Sequence, residues 1–385
     1  MRTRALRIMP VATGLAAGTL LTTLAAASPA SQAAPAAHRP PVIAYVANGA
    51  AGTVTPIRTA TNTAGRPIRV GPGPHAIAIT PNGKTAYVAN IGYYPRIGHT
   101  VTPIRTATGA PGKPIYVAPN PVAIVITPSG KTAYVLSIGG TVTPIQTATN
   151  TVGTPIKVGG YTISMAMTPD GKTVYVPDAN SDTVTPISTG TNTTGTPITV
   201  GFSPGAIAIT PNGQTAYVVN NGSSTVTPIS VATNTPGKPI RVGSGPTAIA
   251  ITPNGKTAYV ASIFAGTVTP IRTATNKAGR AIGVSRRAPG GGEAHIAITP
   301  DSSQVFVTFS SSPRLVVPIR TATNRARKPV RVGRGAWALA ITPNGKTAYV
   351  SSVAADTVTP ISTATDRAGK PIKVGRDPDA IAITP

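Results

Sequence analysis

Few side chains in this chain are equipped for chemistry. Of its 385 residues, four are His and none is Cys, which excludes thiolate nucleophiles, disulfides and Cys-based metal sites. His38 stands in a Pro/Ala-rich stretch, while His75, His99 and His295 flank apolar runs. One constellation combines acid and base: Glu293-Ala294-His295. A carboxylate two residues before an imidazole could serve as general base and acid, or help hold a divalent cation. A loop pair adapted to the neighbouring Gly-rich insertion is the plainer account. No nucleophile elbow, P-loop or His-rich metal motif occurs. The sequence therefore assigns no catalytic residue, no metal and no cofactor.

The elements that must position any site are set by a repeat. A unit close to A-I-A-I-T-P-N-G-K-T-A-Y-V-A-N-x-G-T-V-T-P-I-x-T-A-T-N-x-x-G-K-P-I-x-V-G recurs throughout. Its Thr-Pro anchor begins at Thr80, Thr127, Thr168, Thr210, Thr252, Thr299, Thr342 and Thr384, at intervals of 47, 41, 42, 42, 47, 43 and 42 residues. Each unit carries four short β-branched runs bounded by turn residues: strand A like Ala76 to Thr80, B like Thr85 to Ala89, C like Thr53 to Thr59, and D like Pro67 to Val70. Pro81-Asn82-Gly83-Lys84 reads as the tight A–B turn. Four strands per period of this length predict an all-β fold, a β-propeller of about eight four-stranded blades.

The chain opens on a strand B near Tyr45 and closes on a strand A at Thr384-Pro385. Pairing the two would complete the first blade, close the ring and remove a free sheet edge. Strand C carries a proline in every unit, from Pro56 to Pro360, which removes one ladder donor per blade. Each such proline is expected where its missing N–H faces no acceptor, or at a bulge.

Tyr45-Val46-Ala47-Asn48, Tyr87-Val88-Ala89-Asn90 and Tyr217-Val218-Val219-Asn220, with Thr-Pro-Asn-Gly-Lys and Thr-Ala-Thr-Asn-Thr, resemble the YVTN-family β-propeller repeat. The resemblance spans nearly all of residues 42–385 and implies a surface or exported protein. It departs in strand C: where that repeat usually carries Val-Ile-Asp, this chain has Pro-Ile followed by Arg58, Arg105, Gln146, Ser188, Ser230, Arg272, Arg320 or Ser362.

Up-and-down blades send A–B and C–D turns to one face and B–C and D–A loops to the other. The first face reads as basic: Lys84, Lys131, Lys172, Lys256 and Lys346 from A–B turns, with Arg66, Lys113, Lys238, Arg280, Lys328 and Lys370 expected in C–D turns. The second collects Tyr93, Tyr94, Tyr161, Phe202, Phe264, Phe309 and Trp337 as candidate ligand-binding aromatics. Six of the chain's nine acidic residues join them: Asp178, Asp182, Glu293, Asp356, Asp377 and Asp379. Decorated loops on a rigid scaffold are the usual place for a binding site. Glu293 and His295 would stand at its axial mouth.

Net charge is +25. Arg2, Arg4 and Arg7, an apolar run from Val11 to Ala27 and Ser31-Gln32-Ala33 read as a cleavable secretory signal over residues 1–33, with 34–41 as linker and 42–385 as propeller. No later run is long and apolar enough to span a bilayer. Cleavage leaves a charge of about +22, enough for salt-sensitive affinity for an anionic cell-wall polymer. Sequence-specific nucleic-acid recognition is not expected, since the basic face lacks stacking aromatics. The expectation is an exported, monomeric binding or surface protein whose loop face takes an unknown protein or carbohydrate partner. The alternative is a propeller hydrolase or lyase, lactonase-like or metal-assisted, acting at the axial mouth.

Overall fold

The computed structural model describes residues 41–93, 96–284, 292–310 and 314–385. The expected signal segment and Tyr94 lie outside the described residues. Thr, Val, Ile and Tyr dominate runs such as Thr215–Asn220 and Thr225–Ser230, whose branched side chains suit a pleated, two-sided core. These runs form eight antiparallel sheets, and the described residues contain no α-helix. Strand B is buried on both faces: every Tyr from Tyr45 to Tyr349 in that position is at most 1% exposed. Adjacent blades share each core layer. Tyr87, Ala89 and Val101 of one blade, for example, pack on Ile124, Ala133 and Val135 of the next.

Blades are numbered from the N-terminus. The first closes as expected: Ile43–Asn48 pairs with Thr53–Arg58 on one side and with C-terminal Pro378–Ile383 on the other. The molecule is an eight-bladed β-propeller.

Neighbouring blades are joined by a bond that the repeat encodes twice. The strand-B tyrosine of one blade donates its hydroxyl to the C–D turn asparagine of the next. Tyr134 reaches Asn192 Oδ1 at 2.7 Å, Tyr217 reaches Asn276 at 2.5 Å, and Tyr349 reaches Asn62 at 2.5 Å across the closure. These asparagines also supply the left-handed residue of the turn, with φ near 55–59° at Asn62, Asn150 and Asn192. Burial pushes the phenols of Tyr87, Tyr217, Tyr259 and Tyr349 up to about 12, so they remain donors. One joint differs. Blade 7 has Phe306 in place of Tyr, and the facing turn of blade 8 has Asp366 in place of Asn. There Arg327 Nε pairs with Asp366 Oδ2 at 2.9 Å. Gln304, oriented to satisfy both ends of its amide, donates to Thr363 O at 2.9 Å and accepts from Arg327 Nη1 at 3.2 Å.

The strand-C prolines sit where the ladder can spare a donor. Each carbonyl from Pro56 to Pro360 accepts an N–H of the outer strand at 2.7–2.8 Å, so the ring nitrogen faces outward too. The outer strand breaks at that point, for instance between Thr63–Ala64 and Ile68–Arg69. The lost bond thus falls at the blade's outer edge rather than between B and C. Strand D also begins earlier than the sequence suggests, at Thr63 rather than Pro67, because Thr59 to Asn62 make the turn. Arg66, Lys113, Lys238, Arg280, Lys328 and Lys370, expected in C–D turns, are consequently exposed residues at the strand-D break, on the rim of the disk.

The A–B turns of blades 2 to 8 pack in series, and Pro385 at the end of strand A takes the turn's place in blade 1. Gly171 has φ of +72°, and a Cβ there would lie 2.7 Å from Pro128 Cδ of the preceding blade. The Pro-Asn-Gly signature therefore packs turn on turn as well as folding the turn itself. In blade 7 Ser302 takes the glycine's place, and its Oγ accepts from Asn254 N of blade 6 at 3.0 Å. Lys84, Lys131, Lys172, Lys256 and Lys346 project from these turns, all exposed.

Candidate functional site

At the opposite ends of the innermost strands the blades stop resembling one another. In six blades the start of strand A carries a bulge, as between Pro74 and Ala76. A bulge adds an unpaired residue and re-aims its side chain. Asp379 (blade 1), His75 (blade 2) and Trp337 (blade 8) fall in these bulges, as do Val122, Gly205 and Thr247 in other blades. Blade 7 lacks the bulge and pairs directly through Ala294↔Phe309 and His295↔Thr308. Four consecutive blades, 7, 8, 1 and 2, thus present His295, Trp337, Asp379 and His75.

These side chains meet in two pairs. The His295 ring lies 4.8 Å from the Trp337 ring, centroid to centroid, tilted by 53°. His75 Nδ1 is 3.4 Å from Asp379 Oδ2. His295 Nε2 lies 3.9 Å from Glu293 Oε2, beyond hydrogen-bond reach, and the buried Nε2 and the Trp337 indole N–H make no hydrogen bond. Thr308 Oγ1 donates to Trp337 O at 2.8 Å and ties blade 7 to blade 8.

The insertion at Ile91 to His99 supplies a second wall. It lengthens strands B and C of blade 2 into a ribbon, Thr85–Tyr93 with Arg96–Arg105, that pairs Gly92 with Ile97 and Tyr93 with Arg96. The Tyr93 hydroxyl comes over blade 1: a Cβ added at Gly49 would stand 2.7 Å from it and 3.1 Å from Asp379 Oδ2. Gly49 N donates to Asp377 O at 2.7 Å, and Asp356 Oδ1 accepts from Asp377 N at 3.0 Å.

Electrostatics follow from burial and crowding. Burial, with a smaller push from His75, lowers His295 to about 4, so its imidazole is neutral near pH 7. Burial raises Asp377 to about 6, Asp379 and Asp356 add to the rise, and His75 opposes it. Burial first, then Asp377 and Asp379, push the Tyr93 phenol well up, against Arg376. In a chain of 34 basic and nine acidic residues, Glu293, Asp356, Asp377 and Asp379 share this sector.

The remaining candidates are dispersed. Tyr161, half-buried, belongs to the D–A loop before blade 4, exposed Phe202 to the loop before blade 5, and exposed Phe264 to the B–C turn of blade 6, over Gly245. Only Tyr93 and Trp337 join the mouth cluster. Phe309, expected to be exposed, is 1% exposed and packs with Ala294 and Ile296. It ends strand B at the position of buried Asn90 and Ser262, which the sequence reads as loop. Two acidic residues of this face have structural roles. Burial disfavours the Asp178 carboxylate, but hydrogen bonds from Tyr161 N, Gly160 N, Ser181 Oγ and Asn180 N outweigh it and hold the group below its usual range. Asp182 accepts from Ser203 N at 2.8 Å. Sequence places His75, Asp377 and Asp379 on the loop face but not among the candidate ligand-binding residues, and it does not point to Gly49. The signal was present in a histidine and an aspartate at the strand-A start, but ring closure alone makes residues 75 and 379 neighbours. Among the described residues no three His, Asp or Glu side chains converge to hold a metal ion, and no helix is long and apolar enough to cross a membrane.

The class is therefore plain: an eight-bladed propeller with a cluster of polar and aromatic side chains at one end of its innermost strands. No known family profile matches the sequence, and no curated protein does. Solved structures match in fold. Hydrazine synthase of Kuenenia stuttgartiensis superposes with a TM-score of 0.62 at 23% identity, covering 77% of this chain and 97% of that one. The dihydro-heme d1 dehydrogenase NirN in complex with DHE gives 0.75 at 13% identity, over 88% and 74%. A functionally unknown protein from Desulfotomaculum acetoxidans DSM 771 gives 0.58 at 15% identity, over 89% and 98%. Identities this low speak for architecture alone.

Proposed function

We propose that this chain is an exported, non-catalytic binding protein of the cell surface or medium, allied to the YVTN-repeat propellers. Its loop face binds a carbohydrate or protein partner at the mouth formed by blades 7, 8, 1 and 2. The observation carrying this reading is the segregation of side chains: Trp337, Tyr93, two histidines and four carboxylates meet at one end of the ring. The other end is a nearly uniform lysine annulus. Aromatic side chains anchor partners at low entropic cost. The lysines add a non-specific, salt-screened affinity for anionic wall polymers. In a binding assay on immobilised envelope polymer, Trp337→Ala and Tyr93→Ala should weaken attachment even at high salt. Reversing charge at Lys84, Lys131 and Lys256 should matter only at low salt. The opposite ranking makes the protein a polyanion adhesin and rejects this reading.

One observation favours a second reading, a hydrolase or lyase: His295 is neutral, buried and beside Glu293, as a general base would be. It predicts turnover of an envelope-derived substrate that His295→Ala abolishes while attachment persists.

A further inference from the structure

Several features of the mouth ask for different partner atoms, and together they define one ligand. The Trp337 indole N–H is buried without an acceptor, so it calls for a hydroxyl or carbonyl oxygen. His295, 8% exposed at its side chain, has a neutral ring whose Nε2 is buried and makes no hydrogen bond. The Trp337 ring offers an aromatic face alongside. Asp377 and Asp379 crowd each other and Asp356. Asp377 O and Asp379 Oδ2 lie 3.3 and 3.1 Å from the point a Gly49 Cβ would occupy, and neighbouring carboxylates of like charge favour a cation between them. Arg376 stands near Tyr93, and His75 is engaged with Asp379. A neutral polyol would satisfy the indole and imidazole but leave the carboxylates crowded. A simple alkylamine would do the reverse.

We propose that the mouth of blades 7, 8, 1 and 2 binds a hexosamine unit with a free, protonated amine. The ammonium lies toward Asp377 and Asp379, the C–H face of the sugar on Trp337, and its hydroxyls against the indole N–H and His295 Nε2. Gly49 lines this spot closely: a methyl there would come within 2.7 Å of the Tyr93 hydroxyl and 3.1 Å of Asp379 Oδ2. The inference rests on the binding reading above and deepens it.

Trp337 is the chain's one tryptophan, so its emission reports this site alone. The full chain is titrated with glucosamine, glucose and glucuronate, which share a ring and differ in charge. Glucosamine should perturb the emission saturably, glucose at least tenfold more weakly, and glucuronate not at all. The glucosamine response should weaken several-fold between pH 7 and 5, as Asp377 takes up a proton. Asp377→Asn with Asp379→Asn should erase the preference for glucosamine over glucose, and Gly49→Ala should block all three. Melting curves confirm that each variant is folded. Equal responses to glucosamine and glucose, or a preference that survives the double asparagine variant, overturn the proposal. Silence from all three sugars also overturns it. The wider binding reading then stands or falls on the Trp337→Ala result with envelope polymer.

Discussion

The two ends of the innermost strands are built on opposite rules. At one end, turns nest proline on glycine around the ring, and a side chain added at Gly171 would strike Pro128 at 2.7 Å. At the other, a bulge frees one residue from the ladder in six of the blades, and those positions hold Asp, His, Val, Gly, Thr and Trp. Sequence uniformity marks the end where blade packs on blade. Diversity marks the end where side chains are released to meet something else. On the binding reading proposed above, one strand separates the demands of folding from those of recognition.

The comparison can be broken most forcefully at the ring itself. Removing Pro378–Ile383 takes away the inner strand of blade 1 and exposes the edge of Ile43–Asn48. A fall in Tm of more than roughly 10 °C, with aggregation, is expected. Unchanged melting would show that the two ends of the chain do not hold the ring shut.

The inter-blade joints come next. Arg327→Ala strips the buried Asp366 carboxylate of its partner and should cost on the order of 2 kcal/mol in chemical denaturation. Tyr217→Phe removes one hydroxyl bond to Asn276 and should cost about 1 kcal/mol. If Phe306→Tyr with Asp366→Asn and Arg327→Gly restores the stability lost in Arg327→Ala, the two kinds of joint are interchangeable.

Smaller pH effects distinguish the mouth. His295 is depressed to about 4 against a usual 6.5, so the unfolded chain binds the proton more tightly. Its neutral form costs nothing above pH 6.5, and stability drains away as pH falls from there toward 4. Asp377, raised to about 6, works the other way: its carboxylate penalises the fold above pH 6, and protonation relieves it. Asp377→Asn should therefore raise Tm at pH 7.5 and leave it unchanged near pH 3.5, and thermal scans at both values check the sign. The smallest effect belongs to the lysine annulus. Charge reversal at Lys84, Lys131 and Lys256, all exposed, should shift stability by no more than about 0.5 kcal/mol.

Blade number and strand order could be read because each is written eight times in the repeat, and closure because the last strand A has no strand B of its own. Strand D was misplaced because Thr-Ala-Thr-Asn looks like continuing strand, while Asn62, at φ 55°, is the turn. The Tyr–Asn joint escaped notice because its partners lie about one and a half repeats apart, as at Tyr87 and Asn150. The cluster was half visible: Trp337, Tyr93, Glu293 and His295 belong to it, whereas Phe202, Phe264 and Tyr161 stand on other blades. Its core of His75 with Asp379 spans 304 positions of sequence and exists only in the closed ring.

The division between packing end and recognition end is tested most directly by one substitution set. His75, Trp337 and Asp379 are replaced by Thr, which blade 6 carries at Thr247, and His295 by Ala, its counterpart at Ala76. Binding to envelope polymer at high salt and melting are then measured on the same variant. The account predicts a Tm within a few degrees of the parent and at least a tenfold loss of binding. Retained binding, or a collapse of the fold, would contradict it.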